Sequence, residues 1–353
     1  GTVSRSASQL ADAIEGLGSG ISTSVDRDGF GAGATVLARH FAEAAGVLCE
    51  AVSLPAFAEG EFERVRAESL ADISEARDNH FRRAMLRLVP LLFPGHPYGR
   101  PVGGTEETLS QLSPQSTGRW HASRFHSDRL FVCVTGDTPA DTVAGVLEDA
   151  LARRPRAASP TGTRPDPLPP GGSVEEELER KGQSTVAVGV RGPRMGTRES
   201  AAMLVLSSAV IMMGGRLWRA LRERPPYAYS VRATPAAFRE SGALVGYVTT
   251  QPGGEEAAAR TLITELSRVA EEGLSVEELE RGRRYLAGML EISMQQSAAR
   301  AASYVLAEVA GVGYEHVDRL PAMVRGITED DIVKVARRYL TAEDEPATAI
   351  LRG

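Results

Sequence analysis

The sequence predicts an α+β protein made of two homologous domains, in which helices cover mixed or antiparallel sheets. Its 353 residues exceed the length of one ordinary domain and suit two. Residues 153–173 are rich in Pro, Gly and Ser and lack apolar periodicity, which is typical of a connector between domains. Segments of the first half also recur in the second, at an offset of about 215 to 217 residues. The predicted domains are therefore residues 1–152 and 174–353.

Composition excludes several classes of partner. Hydrophobic residues make up 42% and charged residues 24% of the chain, which is the mixture of a globular protein with ample core. The formal net charge is -6, so we expect no nucleic-acid partner. The longest apolar run, residues 201–213, is too short to span a bilayer, so we expect no membrane partner. Cys49 and Cys133 match no metal or redox spacing and are interpreted as core thiols.

In the first half, helix and strand signals alternate. Residues 8–17 have apolar side chains at helical spacing, and residues 21–25 alternate as a strand does. Asp28-Gly29 indicates a turn, and residues 35–51 return to the helical pattern. This order predicts helix, strand, turn and helix.

The second half mixes the same elements in longer segments. Residues 184–190 and 242–249 are predicted strands. Residues 199–213, 255–271 and 275–310 are predicted helices, the last of which carries many Glu and Arg residues on a solvated face.

The internal repeat also indicates what the first domain lacks. Residues 61–64 open a helix as residues 278–281 do, and the predicted strand 130–134 corresponds to the predicted strand 347–351. The counterparts of residues 184–213 would precede the first residue. We therefore expect the first domain to lack its opening strand and helix. An incomplete sheet has an unpaired edge, which we expect the lost segment or another chain to complete.

Short motifs in both halves give the sequence a family resemblance. In the second half they are Gly214-Gly215-Arg216-Leu217, Leu221-Arg222-Glu223 and Tyr227-Ala228-Tyr229-Ser230-Val231. In the first half they are Leu54-Pro55-Ala56-Phe57, Phe93-Pro94-Gly95-His96-Pro97-Tyr98-Gly99 and Gly104-Thr105-Glu106-Glu107. In this order, over nearly its whole length, the chain resembles the pitrilysin-type (insulinase-like) zinc metallopeptidases. That family includes the mitochondrial processing peptidase and two-subunit bacterial enzymes.

The resemblance implies that the zinc motif lies outside this chain. The family motif, H-x-x-E-H, would fall before Gly1, and its third ligand, a glutamate on a later helix, falls at Asp72. A second family glutamate falls at Val65. Aspartate is one methylene shorter than glutamate, and valine cannot ligate or polarise anything. We expect no metal in this chain, with Asp72 its one candidate ligand, and zinc in a partner subunit or in the segment before Gly1.

Glu68 and Glu75 lie close enough to Asp72 to take its role if the match is shifted. The alternative interpretation of all three acidic residues is a solvated helix face.

The resemblance also assigns a role to Arg222 and Tyr229. The equivalent residues in the family reach the substrate carbonyl beside the zinc. A guanidinium and a phenol can donate hydrogen bonds to a developing oxyanion, so the role is chemically sound. From the residues alone, Arg222 would be a surface charge and Tyr229 an ordinary strand aromatic.

Other motifs carry no predicted site. His40 and Glu43 mimic part of the zinc motif but lack a second histidine. Residues 29–34 resemble a dinucleotide loop, but a helical stretch follows where a strand is needed, so a glycine-rich hairpin is favoured. The remaining histidines of note are interpreted as surface or capping residues: His96, His121 and His126.

Three functional hypotheses remain open. The first is a noncatalytic, substrate-binding subunit of a heteromeric zinc metalloendopeptidase, whose partner is a peptidase subunit that bears H-x-x-E-H and whose substrate is a peptide. The second is a fragment of an active zinc metalloendopeptidase whose motif lies upstream of Gly1. The third is a non-enzymatic scaffold or assembly subunit.

Overall fold

The computed structural model describes residues 1–125, 129–152, 171–178, 182–212, 215–222, 228–341 and 346–353. Helices and a mixed sheet make up these residues, which confirms the predicted α+β class. Most of the predicted connector, 153–170, lies outside the described residues.

Contacts divide the chain into two compact units. Unit 1 comprises residues 1–74, 102–163 and 296–305, and unit 2 comprises residues 75–101, 164–295 and 306–353. Residues 75–101 thus pack with the second half of the chain. The boundaries predicted at 152 and 174 describe sequence duplication rather than packing, and they stay a prediction.

The first half is mainly helical. Its elements are α1 (Ala7–Glu15), β1 (Ser22–Val25), β2 (Phe30–Gly33), α2 (Phe41–Ser53), α3 (Glu59–Asp78), α4 (His80–Leu92), α5 (Glu106–Ser110), α6 (Pro114–Arg124) and α7 (Ala140–Leu151). Two short 3₁₀ helices lie at Ala38–His40 and Pro97–Gly99. The helix predicted over 35–51 therefore begins later, at Phe41.

The second half contains the main sheet. Its elements are β3 (Ser173–Glu177), β4 (Ser184–Gly192), α8 (Arg198–Ile211), α9 (Arg216–Arg222), β5 (Ala228–Ala237), β6 (Gly242–Thr250), α10 (Glu255–Glu272), α11 (Val276–Ser293), α12 (Ser297–Val309), α13 (Glu315–Arg325), α14 (Glu329–Tyr339) and β7 (Ala347–Arg352).

Unit 1 has a small core below a hairpin. Helix α1 begins at a capping box, in which the Ser6 side chain accepts from the Gln9 amide. Strands β1 and β2 pair antiparallel, which confirms the glycine-rich hairpin predicted over residues 29–34. The fully buried apolar side chains of this cluster are Ile14, Ala44 and Val47.

Unit 2 is organised around a five-stranded sheet in the order β3-β7-β4-β6-β5. Strands β3 and β7 are parallel, and the other neighbours are antiparallel. One face carries the larger core, to which α8, α10, α11 and α14 contribute. Nine of the fourteen residues of α8 are buried, so its nearly continuous apolar sequence reflects burial on several sides.

Helix α4 covers the opposite face of the sheet. Leu88 and Leu92 are fully buried there. A Cβ atom at Gly189 of β4 would lie 2.9 Å from Leu92 Cδ1, so glycine allows α4 to approach the strand closely. Arg83 and Arg87 both bind Glu176 of β3, with their nitrogen atoms 2.7 and 2.8 Å from the carboxylate. These two contacts fix α4 along the sheet.

Two predictions from the sequence are wrong. Residues 130–134 form no strand: among the described residues they pair with neither the β1–β2 hairpin nor the main sheet, and an unpaired segment gains no ladder hydrogen bonds. The helix predicted over 275–310 is two helices, α11 and α12, with a break at residues 294–296. The Met294 amide there donates to the Leu290 and Ile292 carbonyls, which tightens and ends α11.

Candidate substrate-contact site

Tyr229 lies in a β-bulge at the edge of the main sheet. Ala228 pairs with Thr250 and Ser230 with Thr249, so Tyr229 is the extra residue of the bulge. Strand β5 pairs only with β6 among the described strands. The Tyr229 side chain is 59% exposed. The bulge therefore presents a phenol at the end of an edge strand, where it is accessible to a ligand.

Arg222 is the last residue of α9. Its side chain lies outside the described residues, as do residues 223–227, which join α9 to β5. The pairing of Arg222 with Tyr229 stays a prediction.

A buried ion pair holds the start of α9. Arg216 Nη2 lies 2.7 Å from Glu278 Oε2 and also donates to the Gly273 carbonyl at 3.2 Å. Glu278 in turn belongs to the capping box at Ser275, the N-cap of α11. Burial opposes ionisation of Glu278, but hydrogen bonds and charge from Arg216 outweigh it and lower the carboxyl pKa. The arginine of the Gly-Gly-Arg-Leu motif thus has a structural role.

The motif around His96 is structural as well. His96 Nδ1 accepts from the Tyr98 amide at 3.1 Å, and Nε2 lies 3.2 Å from Glu240 Oε2. The Tyr98 hydroxyl accepts from the Glu240 amide. A Cβ at Gly99 would lie 2.4 Å from the Phe93 carbonyl oxygen, which requires glycine. His96 caps its turn as predicted, but it is buried rather than on the surface.

His121 of α6 packs locally in unit 1. Its Nε2 lies 2.9 Å from the Val52 carbonyl oxygen, and its ring stacks on Phe125 at 4.8 Å. His126 lies outside the described residues. His40 ends a 3₁₀ helix and accepts from Arg39 Nε at 3.2 Å. None of the described histidines belongs to a group of metal-ligating side chains.

The position implied for a third zinc ligand lies on α3. Asp72, Glu68 and Glu75 are all exposed there, and Val65 is 50% exposed. Glu68 accepts a hydrogen bond from Arg64 at 2.5 Å. Across the described residues, no three His, Cys, Asp or Glu side chains are grouped so that they could hold a metal ion. The donors present on α3 therefore do not by themselves form a zinc-binding set.

The two cysteines differ in burial. Cys49 of α2 is buried, as a core thiol should be. Cys133 is only partly buried, and burial raises the pKa of its thiol, which lowers its reactivity at neutral pH.

Sequence reasoning missed Arg232, which lies three residues after Tyr229 on β5. It is exposed, and it forms no hydrogen bond or ion pair with any residue that the structure describes. The alternation of apolar Val231 and Ala233 with polar Ser230, Arg232 and Thr234 was the available signal, because it predicts a strand with one polar face.

Comparisons with known proteins agree with the motifs. Residues 111–286 match the model of the peptidase M16 inactive domain. An uncharacterized zinc protease of Mycobacterium tuberculosis is 26% identical over 347 residues, which cover 96% of this chain and 78% of that protein. The mitochondrial-processing peptidase subunit alpha of Solanum tuberosum is 25% identical over 215 residues, which cover 61% of this chain and 41% of that protein.

Solved structures share the fold. The peptidase M16 inactive domain from Pseudomonas fluorescens superposes with a TM-score of 0.88 at 18% identity, covering 99% of this chain and 84% of that one. A protease from Helicobacter pylori gives a TM-score of 0.89 at 14% identity, covering 100% of this chain and 86% of that one. A chain of Complex III2 from Candida albicans gives 0.81 at 14% identity, covering 97% of this chain and 84% of that one. Together, the motifs, the matched domain and these relatives show that the chain belongs to the M16 family, the pitrilysin-type zinc metallopeptidases.

Proposed function

We propose that this chain is the noncatalytic, substrate-binding subunit of a heteromeric zinc metalloendopeptidase. In this proposal, a partner subunit carries H-x-x-E-H and the zinc, and the two subunits together enclose the peptide substrate. The match to an M16 inactive domain supports the proposal, and so does the similarity to an alpha subunit of the mitochondrial-processing peptidase.

The observation that carries the proposal is the geometry of Tyr229. A bulge at the end of an edge strand holds this tyrosine 59% exposed. Bulges re-aim side chains beside functional sites, and a phenol donates one hydrogen bond. Tyr229 is therefore suited to donate to the carbonyl oxygen of a bound peptide as negative charge develops on it.

Arg222 would act beside Tyr229. The ion pair between Arg216 and Glu278 anchors the start of the short helix that ends at Arg222. In this proposal, the Arg222 guanidinium donates a hydrogen bond to the same oxyanion.

The acidic face of α3 supports a noncatalytic role. Asp72 is exposed, and the neighbouring Glu68 is already paired with Arg64. At the two positions where the resemblance expects glutamates, this helix carries Val65 and the shorter Asp72.

Two other functions have support of their own. The names of the curated relatives, zinc proteases of which this chain spans 76% to 83%, favour a segment of an active peptidase. The fold shared with a chain of Complex III2 favours a scaffold subunit.

The test is peptide cleavage by the complex that contains this chain. The complex is purified from its source through a tag on this chain, and native mass spectrometry reports its subunits and zinc. We expect Tyr229→Phe to lower kcat for a short internally quenched peptide about a hundredfold, because one oxyanion donor is lost, with little change in KM. Tyr285→Phe is the matched control, since Tyr285 is another exposed tyrosine, 49% accessible on α11.

Three outcomes separate the hypotheses. Zinc confined to a second chain, together with the loss of kcat in Tyr229→Phe, supports the subunit proposal. Zinc and cleavage in a single longer protein would show an active peptidase instead. If neither Tyr229→Phe nor Arg222→Gln alters cleavage by the complex, the scaffold function is correct.

A further inference from the structure

We propose that Arg232 and the sheet face around it form a subsite for a carboxylate of the bound peptide. This inference rests on the proposed peptide-binding function and specifies one chemical feature of the substrate. The subsite, here called the Arg232 shelf, consists of Arg232, Thr234, the hydroxyl pair of Ser230 and Thr249, and the aromatic rings of Tyr247 and Phe81.

The direction of Arg232 follows from strand alternation. Val231 and Ala233, its neighbours on β5, pack against the larger core on one face of the sheet. Arg232 therefore points to the other face, where α4 packs. It is paired in register with Tyr247 of β6, and paired residues of antiparallel strands share a face.

The shelf has an ordered apolar wall. Tyr247 is 6% exposed, and the ring of Phe81 meets it edge-on with centroids 5.0 Å apart. Burial raises the pKa of the Tyr247 hydroxyl, while a hydrogen bond with Thr185 and the charge of Arg232 oppose this. Phe81 itself is 39% exposed. A rigid aromatic wall lowers the local dielectric beside the guanidinium, which strengthens its attraction for an anion.

The paired hydroxyl groups of the Arg232 shelf already have hydrogen-bond partners, whereas the Arg232 guanidinium has none among the described residues. Ser230 Oγ and Thr249 Oγ1 lie 2.7 Å apart and bond to each other. Arg232 is exposed and makes no hydrogen bond or ion pair with a described residue, whereas several arginines of unit 2 have carboxylate partners. Its five donors suit a carboxylate, which a guanidinium binds with two parallel hydrogen bonds.

The Arg232 shelf includes residues of the same strand as the candidate substrate-contact residue Tyr229. Arg232 lies three residues from Tyr229 on the same strand, which corresponds to about 10 Å at roughly 3.3 Å per residue. If a carbonyl group of the bound peptide contacts Tyr229, a carboxylate two or three residues further along the same peptide can therefore reach Arg232. Helix α4 makes its main contacts with β4 and β7, whereas Arg232 and Thr234 are exposed on the edge strand β5.

The test is binding of fluorescent peptides to the full chain by fluorescence anisotropy. Three short peptides share one neutral sequence: the first has two Gln and an amidated C-terminus, the second has Glu for both Gln, and the third has a free C-terminal carboxylate. We expect the Glu peptide to bind about threefold to tenfold more tightly than the Gln peptide, and the difference to shrink at high salt because the site is accessible. A preference confined to the third peptide would identify a C-terminal carboxylate as the ligand.

Variants assign the effect to Arg232. The variant Arg232→Gln should bind all three peptides equally well. The variant Arg232→Lys should keep part of the preference, because lysine retains the positive charge but lacks the planar guanidinium group that binds a carboxylate with two hydrogen bonds. Arg284→Gln is the control, because Arg284 is exposed on α11 and should leave the preference intact. Circular dichroism and melting temperature show whether each variant is folded.

The outcomes distinguish this inference from the proposed function. If the wild-type chain binds the three peptides equally, or if Arg232→Gln keeps the preference, the carboxylate subsite is refuted while peptide binding stands. If no peptide binds, the proposed substrate-binding function itself fails and the subsite with it.

Discussion

The internal repeat predicted from the sequence matches helix α3 with helix α11, yet the two helices are buried to very different extents. Helix α11 packs against α8 and α13 and buries Leu279, Gly282 and Ala287. Helix α3 has twenty residues, of which only Ala76 is buried. The difference shows that the local sequence pattern determines where a helix forms, whereas the neighbouring elements determine how many of its residues are buried.

The two units differ in the same way. Unit 2 has a five-stranded sheet with an apolar core on each face. The strands described in unit 1 form one hairpin, in which Val25 is 60% and Phe30 is 47% exposed. The predicted strand 130–134 of unit 1 is therefore irregular and pairs with no described strand. Its predicted counterpart in unit 2, β7, pairs with β3 and β4.

The largest effect we expect comes from the core below α4. Leu88→Ala removes a fully buried side chain and leaves a cavity, which should lower the free energy of unfolding by about 2 to 5 kcal/mol. Leu112→Ala in unit 1 is the control, since Leu112 is 43% exposed and should change stability by less than about 0.5 kcal/mol. Urea denaturation followed by circular dichroism measures both, and equal losses would contradict the difference between the units.

The next test compares the two equivalent helices directly. Glu278→Ala on α11 leaves the buried Arg216 without its carboxylate and should cost about 3 kcal/mol. Glu61→Ala, at the matching position of α3, removes an exposed ion pair with Arg64 of the same helix and should leave the melting temperature unchanged. A large loss in the α3 variant would show that α3 is covered in the folded protein.

Two glycines of α11 sharpen the comparison within one helix. A Cβ at Gly282 would lie 3.0 Å from both Ala209 Cβ and the Val205 carbonyl oxygen of α8, so Gly282→Ala should destabilise the protein by about 1 to 3 kcal/mol. Apart from the backbone of its own helix and its chain neighbours, no atom of the described residues lies within 4 Å of a Cβ at Gly288, so Gly288→Ala should stabilise the helix by up to about 1 kcal/mol. Differential scanning calorimetry should show melting temperatures that move in opposite directions.

The smallest expected effect is the pH dependence of the link between α4 and β3. Hydrogen bonds from Arg87 and Arg83 lower the pKa of Glu176 from 4.5 to about 2. The pair therefore contributes fully above the ordinary pKa, and its contribution is lost as the pH falls from about 4.5 towards 2. Because Arg87 is half exposed, we expect a contribution on the order of 1 kcal/mol.

Glu176→Gln measures that contribution. Wild type should be the more stable protein at neutral pH, and the two should converge as the pH approaches 2 in urea titrations. A stability difference that stays constant over this interval would show that the ion pair does not act through the charge of Glu176.

Only part of the candidate site could be predicted from the sequence. The motif Tyr227–Val231 drew attention to Tyr229, but the bulge that exposes its ring depends on how β5 pairs with β6. The same motifs include Arg216 and His96, which are buried and structural, since burial is a property of the partners that they meet. Arg232 belongs to no motif, and its strand face and its lack of a hydrogen-bond or ion-pair partner among the described residues are features of the tertiary structure.

Local patterns determined most of the elements. Apolar periodicity predicted α1, α8 and α10 to within a few residues, and strand-like sequence predicted β4 and β6, because helix and strand periods are local properties of the chain. The tertiary structure alone decided that residues 75–101 pack with the second half and that residues 130–134 form no strand. Each of these depends on contacts between residues far apart in sequence, whose free energy no local pattern contains.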